Sequence, residues 1–126
     1  MKTVLLDTDI LIEVLRQRDA AILAQWRRIT GGTEPVLYTP VTAAELWHGL
    51  RQGEEEAVSK MLETLTCVPL DAEIGRRAGG YLRQFHRSHG LDIGDALIAA
   101  TAAVHGCGLW TRNRRHYPMK DIELMA

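Results

Sequence analysis

The sequence predicts an α/β domain over residues 1–126, a mostly parallel sheet with helices on both faces. Three observations predict it. Strand-like and helix-like stretches alternate along the chain, each strand separated from the next by helical sequence, which calls for parallel strands joined by crossovers. The strand-like stretches are short apolar runs, the mark of strands buried in a covered sheet. No linker, repeat or low-complexity stretch divides the chain. Its 126 residues suit one domain that buries roughly two-thirds of its unfolded surface.

Residues 2–6, KTVLL, form an apolar run ended by Asp7 and read as the first strand. Residues 9–17 carry apolar side chains at positions 10, 11, 14 and 15, a helical stripe. A second helix over 19–29 is closed by Gly31 and Gly32. VLYTP at 36–40 is the second strand, followed by helices over 42–53 and 54–65. The second of these opens on three glutamates, which suit the positive end of its dipole. TCVPL at 66–70 is the third strand, and 71–89 an arginine-rich helix that Gly79-Gly80 is expected to interrupt. Residues 92–105 form an alanine-rich helix, 108–111 a fourth strand and 121–125 a short last one.

The formal net charge of −1 excludes a global field that would draw the chain to nucleic acid or to a membrane. Of the 15 basic residues 12 are arginine, which suits bidentate phosphate contacts as well as plain solvation. Cys67 and Cys107 show no metal-ligand spacing and sit in apolar surroundings, so both read as buried free thiols in a reducing, cytoplasmic setting. The opening MKTVLLDTDI meets an acid after three apolar residues, and is expected to be neither a signal peptide nor a membrane span.

The acids carry the functional argument. In open α/β sheets ligands gather beyond the carboxyl ends of the strands. Asp7 follows strand one, Glu45 lies one turn into the helix after strand two, and Asn113 comes two residues after strand four. Asp92 and Asp95 open the helix that feeds strand four, and an antiparallel approach brings them to the same edge. Four carboxylates so gathered raise one another's pKa. A divalent cation removes that cost, and oxygen-only ligands favour Mg²⁺ or Mn²⁺.

Plainer roles exist for each. Asp92 with Asp95 suits a helix cap and its N3 partner, and Thr42-x-x-Glu45 suits a capping box. Asp7 has no cap to explain it, only a turn with Thr8 and Asp9. His86-x-x-His89-x-x-Asp92 imitates a metal-binding face that Gly90 is expected to break. Trp26, Trp47 and Trp110 fall at core-like positions, with Trp47 also a candidate for a partner groove. Removing the charge of Asp7 or Asp95 is expected to keep or raise the stability of the metal-free chain.

The segments VLLDTDILIEVLR, TAAELWHGLRQG, LDIGDALIAATAAVHG and LWTRNRRHYP resemble PIN-domain ribonucleases in order and spacing, most of all VapC-type toxins of toxin–antitoxin pairs. The resemblance runs nearly end to end. It implies a three-layer α/β/α domain, metal-dependent cleavage of RNA, a small VapB-type antitoxin over the site, and a homodimer. Asp7, Glu45 and Asp95 match the family's three acidic positions, and Asp92 an acid present in some relatives. Asn113 stands where many relatives carry an acid, which puts a second metal in question. On this reading Asp7 and Asp95 hold Mg²⁺ or Mn²⁺, Glu45 holds or deprotonates the attacking water, and Asp92 serves an outer shell or second metal. Thr8, Asp9, Thr111 and Asn113 support them, and Arg112, Arg114 and Arg115 contact flanking phosphates. Residues 10–15 with Trp47–Leu50 are the expected antitoxin groove.

Two other classes fit parts of the sequence. Asp7-x-Asp9 at a strand end also opens haloacid-dehalogenase-like phosphatases, but Lys60 is the lone interior lysine before the final segment, and the further acid pair is missing. A catalytically weak or inactive module that binds RNA or antitoxin is the other, and Asn113 is the residue that favours it.

Overall fold

A computed structural model describes residues 2–125. Five strands form one sheet in the order β3-β2-β1-β4-β5, and every pairing is parallel. The strands are β1 (Val4–Leu6), β2 (Val36–Tyr38), β3 (Thr66–Cys67), β4 (Gly108–Trp110) and β5 (Glu123–Leu124). The helices are α1 (Thr8–Arg16), α2 (Ala20–Thr30), α3 (Pro40–His48), α4 (Glu55–Glu63), α5 (Ala72–His89) and α6 (Ile93–His105). A 3₁₀ turn over Arg114–His116, absent from the sequence reading, follows β4.

The strands divide their side chains between two cores, as the alternation of a pleated strand requires. Leu5 and Leu109 face one core with Ile74, Ala78 and Tyr81 of α5 and the alanine-rich face of α6. Val4, Leu6, Val36 and Trp110 face the other, with Ile10, Leu11 and Val14 of α1, Leu46 of α3 and Val58 of α4. Helices therefore cover both faces and the architecture is the three-layer α/β/α sandwich expected. Leu5 and Leu6 are each fully buried although adjacent, which explains why the strand reads as an unbroken apolar run rather than an alternating one.

Several local expectations need correction. Gly79 and Gly80 do not interrupt α5, which is continuous for 18 residues. Helix α3 starts at Pro40, not at residue 42, because Thr39 is its cap and Pro40 supplies a preset φ at the first position. Thr42-x-x-Glu45 is therefore no capping box. Cys67 is exposed on the sheet's edge strand, and Cys107 alone is a buried thiol. Trp47 is exposed to 43%, whereas Trp110 is buried and Trp26 packs against the second core. Within residues 10–15, Ile10 and Leu11 are fully buried in that core, whereas Ile12 and Leu15 are only partly buried.

Chain order fixes where a site can form. From β1 the chain builds outward through β2 to β3, then returns to the other side of β1 for β4 and β5. The crevice at the carboxyl ends of β1 and β4 is thus the topological switch point. Asp7 follows β1 there, and its N–H donates to the Trp110 carbonyl at 3.0 Å, joining the two strand ends.

Candidate active site

Asp7 is buried at this crevice and begins α1. Its Oδ1 accepts from the Thr8 N–H at 2.8 Å, so Asp7 does serve as a helix cap, contrary to expectation. Its Oδ2 accepts from the Thr111 hydroxyl at 2.7 Å and the Tyr117 hydroxyl at 2.9 Å. Three donors thus reach the Asp7 carboxylate oxygens. Neutralising Asp7 would weaken these three hydrogen bonds as well as relieve repulsion, so the two effects on the metal-free chain oppose each other.

Helix α3 delivers Glu45. With Thr39 as the cap, Glu45 has no capping duty, and its Oε1 accepts from the Thr8 hydroxyl at 2.7 Å. That hydroxyl also lies 3.2 Å from Thr42 Oγ1, so two buried threonines stitch the start of α1 to α3. Helix α6 delivers Asp95. Its cap is Asp92, whose Oδ1 accepts from the Asp95 N–H at 2.8 Å. Gly94 allows this turn to lie close to α3, since an added Cβ would stand 3.3 Å from Val41 Cγ1. Asp95 Oδ1 is 3.3 Å from the Tyr117 hydroxyl and Oδ2 is 3.4 Å from His116 Nδ1.

Asp7 and Asp95 thus share one hydroxyl, and Asp7 and Glu45 both bond to Thr8. Asp7 and Asp95, 88 positions apart, meet at one edge of the sheet, whereas the sequence reading called for four carboxylates gathered there. Asp92 is exposed and its carboxylate is engaged as a cap. Asn113 is exposed, and its backbone N–H donates to Thr111 Oγ1 at 2.9 Å.

The electrostatics are those of crowded acids. Burial first, then the charges of Asp92 and Asp7, push Asp95 up to about 6, against the opposing pull of His116 and Tyr117. Burial and the charge of Asp7 push Asp9 up to about 6 as well. Asp9 Oδ2 accepts from the Arg112 N–H at 3.0 Å, but Oδ1 is buried without a partner among the described residues. Burial and the acids around it raise Tyr117 too, so its hydroxyl keeps its proton and acts as a donor.

A divalent cation suits this donor set. The groups are all oxygen, negative charge is in excess, and Asp9 adds a buried, unsatisfied carboxylate oxygen beside Asp7. Among the described residues no three His, Cys, Asp or Glu side chains already stand together as a ready-made cage. The acids approach as hydroxyl-bridged pairs instead.

The histidine motif fails as a metal face. Gly90 ends α5 in the left-handed region, His86 Nδ1 lies 3.0 Å from the Leu91 carbonyl, and His89 packs edge-on to Phe85. No phosphatase-like lysine serves Asp7 either, because Lys60 is exposed and paired with Glu56.

Arg112, Arg114 and Arg115 line one cleft of about 760 Å³ with His89 and His116, and no acidic side chain lines it. His116 joins the cleft to Asp95. Two of the arginines are already anchored: Arg112 Nη1 to the buried Glu13 at 2.8 Å, and Arg114 Nη1 to the Met125 carbonyl at 2.8 Å. Arg18 joins the same Glu13 oxygen at 2.6 Å. Sequence reasoning missed Tyr117, His116 and Glu13. The one available signal for the first two was their place six and five residues beyond Thr111, in the segment already singled out for Asn113.

Comparison with known proteins agrees with this fold. Residues 4–122 match the PIN domain. Ribonuclease VapC10 of Mycobacterium tuberculosis is 38% identical over 117 residues, covering 92% of this chain and 86% of that protein. Ribonuclease VapC19 of the same organism is 34% identical over 116 residues, covering 91% and 92%. The solved structure of DNA-bound VapBC from Salmonella typhimurium shares the fold, with a TM-score of 0.81 at 20% identity over 99% of this chain and 98% of that one. The chain belongs to the PIN-domain family. Within that family it is of the VapC type.

Proposed function

We propose that this chain is a metal-dependent endoribonuclease and the toxin of a VapBC-type toxin–antitoxin pair. The observation that carries the reading is the meeting of Asp7 and Asp95 at one hydroxyl, with Glu45 bonded through Thr8, at the switch point of the sheet. The names of its relatives support the substrate class, and its likeness to the solved VapBC complex supports an antitoxin partner.

Asp7 and Asp95 would hold Mg²⁺ or Mn²⁺, with Glu45 and Asp92 as further oxygen donors. A bound divalent ion supplies an acidified water and neutralises charge on the phosphorus oxygens. Glu45, which is exposed, accepts the proton of the attacking water. Water oxygen adds to phosphorus as the bond from phosphorus to one ribose oxygen breaks, and that oxygen leaves as an alcohol on taking a proton from solvent. Thr8 and Thr111 fix the carboxylates, Asp9 holds the Arg112 backbone, and Asn113 keeps Thr111 oriented without adding charge. Arg115, which makes no ion pair among the described residues, and the anchored Arg112 and Arg114 bind phosphates flanking the cut. The exposed Trp47 is a candidate antitoxin contact, and a homodimer is the assembly that the resemblance implies. No described helix is long and apolar enough to cross a membrane.

The test is cleavage of single-stranded RNA by purified protein with Mg²⁺ or Mn²⁺, beside Asp7→Asn. Metal-dependent cutting lost in the variant is the expected result. Cutting that survives the substitution points to a contaminant, and none by either protein leaves a binding module.

A further inference from the structure

We propose that Tyr117 is a positioning residue for cation capture, its hydroxyl tying the Asp7 and Asp95 carboxylates into one ligating pair. The inference rests on the metal-dependent reading above. Asp7 stands at the end of β1 and Asp95 in the first turn of α6, elements with no backbone hydrogen bond to each other among those described. Tyr117 is the one described side chain hydrogen-bonded to both, at 2.9 Å and 3.3 Å.

The phenol is well placed for that task. It follows the 3₁₀ turn, is 3% exposed, and its ring belongs to the core that α5 and α6 build against the sheet. Its oxygen is therefore held by packing rather than by the acids themselves. A neutral donor eases repulsion between two carboxylates without placing a fixed positive charge where a cation must come. Thr111 donates to the same Asp7 oxygen, but has no bond to Asp95. The two hydroxyls thus separate the orienting of one acid from the joining of two.

Hydrogen bonds to ligating groups orient them, and losing one typically costs 10–100-fold in metal affinity. Mn²⁺ affinity of the metal-free chain, measured by calorimetry for wild type, Tyr117→Phe and Thr111→Val, tests the proposal. Melting curves in EDTA fix a temperature at which each variant is folded. Tyr117→Phe should bind Mn²⁺ about 10–100-fold more weakly, and Thr111→Val should lose less. A folded Tyr117→Phe with wild-type affinity, or a Thr111→Val loss as large, overturns the inference alone. A wild-type chain that takes up no Mn²⁺ overturns the metal-dependent reading and this inference together.

Discussion

Asp95 feels the site's stored charge most directly. Its carboxyl is pushed from 3.8 to about 6, so between those values the folded chain keeps a proton that the unfolded chain has released. The stabilising contribution is full below the unfolded pKa and is lost as pH rises through the folded one. Each such carboxyl is worth about 1–2 kcal/mol after discounting solvent screening. In EDTA the wild-type melting temperature should fall as pH rises from about 4 through about 6, and Asp95→Asn should flatten part of that fall. A slope unchanged by Asp95→Asn contradicts the assignment. Asp9 shifts the same way, so some slope remains. The acids were legible because their positions follow strand ends. Tyr117 was not, since a tyrosine beside arginines reads as packing, and its bond to Asp7 spans 110 positions.

Among the elements, α6 shows that capping and chemistry are not exclusive. Asp92 caps the helix, and Asp95 sits at N3 with its carboxylate turned to Tyr117 and His116. Asp92→Asn should melt like wild type because asparagine caps as well, whereas Asp92→Ala should lose about 1 kcal/mol. Thermal denaturation of the two variants decides it, and equal losses would show that the charge, not the cap, stabilises. Helix α5 offers a second check. An alanine Cβ at Gly80 meets nothing within 4 Å, so Gly80→Ala should stabilise by roughly 0.5–1 kcal/mol. A loss in denaturant midpoint would mean that this exposed face needs its glycine. The expected break at Gly79-Gly80 failed because two glycines weaken a helix without ending it when Ile74, Ala78 and Tyr81 are buried along one side. The expected start of α3 failed because Thr39 and Pro40 together form a better start than Thr42.

At the scale of the molecule, the alternation of runs was enough to predict a parallel sheet with two covered faces, and the switch point then followed from chain order. All five strand regions were legible, though each strand is shorter than its apolar run. Surface function was less so. The apolar stripe of α1 read as a partner groove, and the structure divides it: Ile10, Leu11 and Val14 join the core, while Ile12 and Leu15 stay partly buried. The arginines after β4 read as contacts to flanking phosphates, and Glu13 and the Met125 carbonyl anchor two of them where they line the cleft. These features together make an acidic centre beside a cationic channel, and the account depends on the centre holding a divalent ion. Crystals soaked in Mn²⁺ and measured for anomalous scattering test this most directly. A peak bonded to the Asp7 and Asp95 carboxylates with Glu45 at its side is the predicted result. A map with no peak there, or with Mn²⁺ only at His86 and His89, contradicts it.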